Sequence, residues 1–295
     1  MLAAPLPPDL SPWAFHPHPE VYLEVVSLAA AYWAALRLLG PRFVEPGEPA
    51  ATRGQKLCFA GGLLFIALAE GWPLADIANN YLYSAHMVQH LLFTLAAPPL
   101  LLLGTPHWLA RTLVRRPGVW PVMKRLTRPV PATIIFNAVL VTTHWPALLD
   151  VYMHHQIVHI ATHVALFGAA TLLWWPVVSP LPELKRLSYP AQMVYLFIQT
   201  IIPTVPASFL TFASSPLYHF YTTVPRAFGI SAVDDTRISG LIMKLGMGIT
   251  LWSIIAVLFF RWSSKEERPE RPDVLEWQAV ERELNRTESP NPGGP

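Results

Sequence analysis

The sequence predicts an all-α integral membrane protein with seven transmembrane helices, the N-terminus outside and the C-terminus cytoplasmic. Three observations carry this. Of 295 residues, 53% are hydrophobic and 14% charged, whereas soluble domains carry about 25% charge. Apolar runs near the roughly 20 residues needed to cross about 30 Å of hydrocarbon recur along the chain. The Lys and Arg residues between those runs fall on alternate loops, as the positive-inside rule requires.

In chain order the expected spans are residues 21–39, 57–74, 81–103, 131–149, 154–178, 189–212 and 238–262. Arg37, Arg42, Arg53 and Lys56 follow the first span. Arg111, Arg115, Arg116, Lys124, Arg125 and Arg128 follow the third, Lys185 and Arg186 the fifth, and Arg261, Lys265 and Arg268 the seventh. The opposite loops 73–80 and 150–153 contain no Lys or Arg, and 213–237 only Arg226 and Arg237. The domain reading is an extracytoplasmic segment 1–20, a seven-helix membrane domain 21–262 and a cytoplasmic tail 263–295. That tail, with 5 basic and 8 acidic residues, is expected to be largely disordered apart from a short helix around 274–284. The chain would be a multi-pass protein of the cell inner (plasma) membrane.

The first residues lack a positively charged region, so no cleavable signal peptide is expected. Their prolines and aromatics suggest an extended segment on the membrane surface. The single cysteine, Cys58, excludes an internal disulfide and a multi-cysteine metal site. Nothing in the charge pattern indicates nucleic-acid binding. Pro98-Pro99 should kink the third span and free backbone carbonyls, and Pro203 and Pro206 should do the same in the sixth. Ser239, Gly240, Gly246 and Gly248 should let the seventh span approach its neighbours closely.

The histidines carry the functional signal. Of the 11, only His107 falls on the cytoplasmic side in this topology. His86 and His90 share a face of the third span, and His155, His159 and His163 form a stripe on the fifth. At 1.5 Å per residue, both His86/His90 and His159/His163 lie roughly 8 and 13 Å below the outer ends of their spans, so the two pairs can meet. His144 ends the fourth span on the same side. His16, His18 and His219 read as solvated or interfacial. Neutral imidazole is the commonest metal ligand and suits Zn, Cu, Fe and Ni, while thioethers favour Cu(I). The candidate metal ligands are therefore His86, His90, His144, His159 and His163. Asp235 is a further ligand or an acceptor for a histidine N–H, and Met87 and Met243 are weaker candidates. Lys244 should snorkel outward or pair with an acid such as Asp235. The rival reading of each histidine is an interhelical hydrogen bonder, and of each methionine a packing residue.

The run YLYSAHMVQHLLFTLAAPPLLLLGTP, beginning at Tyr81, resembles the signature of the CtaG-like family, membrane-embedded assembly factors of caa-type haem–copper cytochrome c oxidases. His144-Trp-Pro-Ala-Leu-Leu-Asp150, His159 and His163 with the following Leu172-Leu-Trp-Trp-Pro176, and the segment Asp235 to Met243 resemble further parts of its pattern. Thr162 stands where that pattern has Glu, Thr236 where it has Gln, and Lys244 where it has Trp. The resemblance implies a non-enzymatic role in building an oxidase by supplying copper on the outer side, with oxidase subunits or a copper chaperone as partners. Three other readings stay open. One is a haem-binding electron carrier with an axial histidine from each helix. Another is a membrane metalloenzyme using zinc or iron. The third is a metal transporter, although the cytoplasmic half offers only Pro98-Pro99, Thr94 and Lys244 as polar interruptions.

Overall fold

The computed structural model describes residues 11–266 and 280–285, which contain helices, turns and irregular segments but no strand. Six helices are long and apolar enough to cross a membrane, and a bent pair makes up to seven. We label the main helices α1 (Pro19–Arg42), α2 (Arg53–Asn80), α3 (Tyr83–Gly104), α4 (Pro129–Thr143), α5 (Gln156–Val178), α6 (Tyr189–Thr211) and α7 (Ala232–Glu266). Among the six, α3 is the most enclosed by its neighbours and α1 the least.

The expected fourth span differs most from the structure. Residues 131–149 do not form one helix. α4 ends at Thr143, and a separate helix, Pro146–His154, follows. Pro146 lacks an N–H and pushes Trp145 out of the helical region, so the break falls at His144-Trp145. At its other end α4 meets the helix Val119–Leu126 at 86°. The same rearrangement shortens the fifth span. His154 closes the preceding helix and His155 caps α5 in an extended conformation, so both are exposed and only His159 and His163 remain of the expected stripe. α2 breaks after Glu70 and resumes as Leu74–Asn80, while α6 breaks at Ile202-Pro203. α7 runs on to Glu266, past the expected end at residue 262. Residues 267–279 and 286–295, on which most of the expected tail and its helix around 274–284 fall, lie outside the described part; residues 280–285 are helical.

The prolines of α3 act through the carbonyls they free. Pro98 and Pro99 cannot donate, so Thr94 O has no helical N–H to accept. The helix relaxes into a π-turn over Leu92–Ala96, and the Trp174 indole of α5 donates to Thr94 O at 2.8 Å. α3 and α5 are thereby joined just below the histidines. Asn137 of α4 donates to Gln199 of α6 at 2.9 Å, and Gln199 donates to Thr133 at 2.8 Å, tying a second buried pair of helices.

The N-terminal segment is bound to the bundle. His18 is buried with its Nε2 3.0 Å from Asp76 Oδ1, His16 Nδ1 lies 3.2 Å from Asp76 Oδ2, and the Trp72 indole donates to Ala14 O at 3.0 Å. The expectation of solvated or interfacial histidines is corrected for His18, while His16 stays part exposed; a buried carboxylate needs partners, and these rings supply them.

Close approach of α7 to α6 rests on Gly240, where a Cβ would stand 2.5 Å from Thr211 N and 2.7 Å from Ala207 O. Gly248, by contrast, has nothing within 4 Å. Gly240→Ala is expected to destabilise the protein by roughly 1–3 kcal/mol, while Gly248→Ala leaves stability unchanged. Thermal unfolding of the two variants in one detergent checks this.

Candidate metal centre

The site begins with the start of α3. The first amides of a helix have no intrahelical acceptor, and inside an apolar bundle something else must supply one. Asp235 of α7 does so: its Oδ2 accepts from Tyr83 N at 2.8 Å and its Oδ1 from Ser84 N at 3.0 Å. A carboxylate at the positive end of a helix is also favoured by the helix dipole. Asp235 is fully enclosed, and both of its oxygens serve these amides. The structure therefore places it as the cap of the histidine helix rather than among the imidazoles.

One and two turns beyond the cap, His86 and His90 project from a single face of α3. Their ring centroids are 4.2 Å apart. Across the interface His163 lies 6.0 Å from His86 and 5.5 Å from His90, and His159 lies 6.2 Å from His86. His144 reaches in from the end of α4, 5.3 Å from His90. All five rings are buried, with at most 8% of any residue exposed. One nitrogen each from His86, His90 and His163 can be chosen so that all three lie within 4.8 Å of one another, a spacing that small movements would close around one ion.

Hydrogen bonding sorts the nitrogens. His163 Nδ1 lies 2.9 Å from Glu70 Oε1 and donates to it, which leaves Nε2 as the inward lone pair. This carboxylate–histidine pair has the form that orients metal-ligating imidazoles and raises their basicity. His144 Nδ1 donates to Leu140 O at 2.7 Å, so its Nε2 also faces the cluster as an acceptor. His159 Nε2 sits 2.9 Å from His163 Nε2. Both ring nitrogens of His90, and Nδ1 of His86, are buried without a hydrogen-bond partner. Unpaired buried polar groups are costly, and one nitrogen each from His86, His90 and His163 lying within 4.8 Å of one another suits a shared cation. The residues present thus fit a metal held by nitrogen donors.

A roof of tyrosines covers this end of the bundle. Tyr83 packs at a tilt against Tyr218 and Tyr221 from the segment before α7, with ring centroids 4.4 and 5.0 Å away. The Tyr218 hydroxyl donates to His144 O at 3.0 Å and that of Tyr221 to Ala78 O at 2.8 Å. Tyr152 lies 5.3 Å from His159. Met87 and Met243 are buried in the main apolar core. Lys244 is exposed and makes no ion pair with Asp235. His219 and His107 are exposed.

Sequence reasoning missed Glu70 and the tyrosine roof. The signal for Glu70 was present: a carboxylate ending an apolar run stands at the negative end of its helix, where the dipole disfavours it. The carboxylate that Thr162 fails to provide between the paired histidines comes instead from another helix, and the Thr162 hydroxyl turns back to Val158 O at 2.8 Å.

A family model described as cytochrome c oxidase caa3 assembly factor (Caa3_CtaG) matches residues 30–265. Uncharacterized proteins of Mycobacterium bovis and Mycobacterium tuberculosis are each 25% identical to the chain over 208 residues, covering 64% of this chain and 31% of each relative. One of Mycobacterium leprae is 24% identical over the same length and shares. The chain therefore spans about a third of the length of the curated relatives it matches. No solved structure matches.

Glu70→Gln is expected to weaken metal binding about 10- to 100-fold. Asp235→Ala should cost roughly 1–2 kcal/mol of stability and loosen the face of α3 that carries His86 and His90, whereas Glu70→Gln leaves stability nearly unchanged. Metal titration and thermal unfolding of both variants separate the two roles.

Proposed function

The chain belongs to the cytochrome c oxidase caa3 assembly-factor family, and from that premise we propose that it holds copper in its histidine cluster and passes it to the oxidase during assembly. The observation that carries this reading is the group of buried imidazoles with His86, His90 and His163 at its centre, two of whose rings have nitrogens with no other partner.

Imidazole nitrogen accepts copper in either oxidation state. A site built from neutral donors, with one carboxylate behind one ring, holds the ion without the permanence of a thiolate cage. That suits ligand exchange with a partner. His144 and His159 complete the ring of donors and offer the ion positions to step between as it leaves. In this reading Asp235, Met87 and Met243 hold the helices that hold the donors. The protein performs no catalysis of its own. It sits in the cell inner membrane with its N-terminus and the histidine cluster on the outer side, where an oxidase subunit or a copper chaperone meets it.

A single ion is favoured over haem by the compactness of the cluster. Five rings pack with centroids 4.2–6.2 Å from their neighbours, and three of them offer nitrogens within 4.8 Å of one another, whereas a porphyrin needs a flat slot between two axial rings.

Purified protein is expected to bind roughly one copper ion per chain, with His90→Ala and His163→Ala losing it. Equal copper in all three samples would overturn the proposal, and a Soret band would replace it with the haem reading. In wild type alone, copper at a hundred times its Kd should add about 2.7 kcal/mol of stability. Cells carrying either variant in place of the wild-type chain should assemble less active oxidase.

A further inference from the structure

Beside the cluster, where α1 begins, the first part of α2 ends and α5 begins, lies a cavity of about 210 Å3. Three carboxylates line it, Glu20, Glu24 and Glu70, together with His159, His163 and the ring of Phe93. No Lys or Arg lines it. Each acid by itself has an ordinary explanation to be weighed. Glu20 stands in the first turn of α1, where a negative charge suits the helix dipole. Glu24, one turn further on, is exposed on a helix apolar enough to span a membrane, where an acid is rarely placed without a partner or a function. Glu70 is the last residue of its helical segment, Arg53–Glu70, the unfavourable end for a carboxylate. Helix electrostatics therefore account for one of the three.

The cavity walls give a second, independent observation. They run from carboxylates near the surface to buried nitrogen. Glu20 and Glu24 are accessible, and the Glu70 side chain is 17% exposed. Glu70 holds His163 at 2.9 Å. Behind His163 stands His90, 5% exposed, with neither ring nitrogen paired and one of them within 4.8 Å of a His163 nitrogen.

We propose that this cavity is the portal through which a copper ion reaches the histidine cluster, with Glu20 and Glu24 drawing the cation in and Glu70–His163 handing it to His90 and His86. The proposal rests on the reading that the cluster holds metal and adds the route by which it loads. Carboxylates in a low-dielectric recess raise the local concentration of cations and speed their association. Their oxygens are hard donors that release a soft ion readily to imidazole. No covalent step is involved: water and carboxylate oxygens leave the ion as nitrogens replace them.

The test is the rate of Cu(I) loading into purified full-length chain in detergent, followed by stopped-flow competition with a chromogenic chelator across a range of ionic strengths. The Glu20→Gln/Glu24→Gln double variant should load about tenfold more slowly and with a weaker salt dependence, yet reach the same copper content at saturation. Glu24→Lys should load more slowly still. Wild-type rates in both variants would overturn the portal while leaving the cluster as a metal site. Lost copper at saturation in the double variant would also overturn it, because these carboxylates would then be ligands. Wild-type protein that takes up no copper, like His90→Ala, would overturn the portal and the metal reading together.

Discussion

A carboxylate on one transmembrane helix grips the first two amides of another, and much of the site geometry follows from that contact. Away from water, the start of α3 needs an acceptor for its leading N–H groups. Asp235 supplies both oxygens at 2.8 and 3.0 Å. A bidentate grip fixes the rotation of α3 about its axis as well as its depth. His86 follows three residues after the first capped amide and His90 seven, so their face is set by the same contact. α7 is held against α3 below the cap as well: Gly246 lies so near Leu91 that a Cβ there would stand 2.4 Å from its Cδ1.

The cluster is braced from above and below. Below it, the indole of Trp174 satisfies the carbonyl that Pro98 leaves open and draws α5 against α3. Above it, the tyrosines of the loop before α7 close over His144 and Tyr83. Between these braces the imidazoles have little freedom. Two have one nitrogen fixed, by Glu70 and by Leu140 O, and present the other inward. His90 presents both nitrogens to a space that offers no protein partner. Leaving that ring unpaired costs free energy, and a cation shared with His86 and His163 would offset the cost.

Much of the bundle could be read from the chain. Runs near 20 apolar residues gave the helices, the i, i+4 spacing gave His86/His90 and His159/His163 their common faces, and equal distances from the helix starts gave them a common depth. Local chemistry at Pro146 defeated the simplest reading of the fourth and fifth spans. A run of apolar residues conceals a helix break, and that break removed His155 from its stripe and turned His144 inward. His18 looked like a surface residue because its partner, Asp76, is 58 positions away. Asp235 was expected as a metal ligand or an acceptor for a histidine N–H, but its partners here are the backbone amides of Tyr83 and Ser84, which leave no trace in a sequence.

What the sequence by itself determined is the periodic part: the apolar lengths, the charge alternation between loops and the placing of paired imidazoles at one end of the bundle. These depend on residues close together in the chain, whose spacing converts directly into distance along a helix axis. Tertiary structure alone decided which helix faces meet, that Glu70 rather than a neighbour of His163 supports that ring, and that a carboxylate from α7 caps α3. Those outcomes turn on how the helices rotate and pack against one another. That choice is made by buried polar groups finding acceptors across the whole chain, which no local spacing encodes.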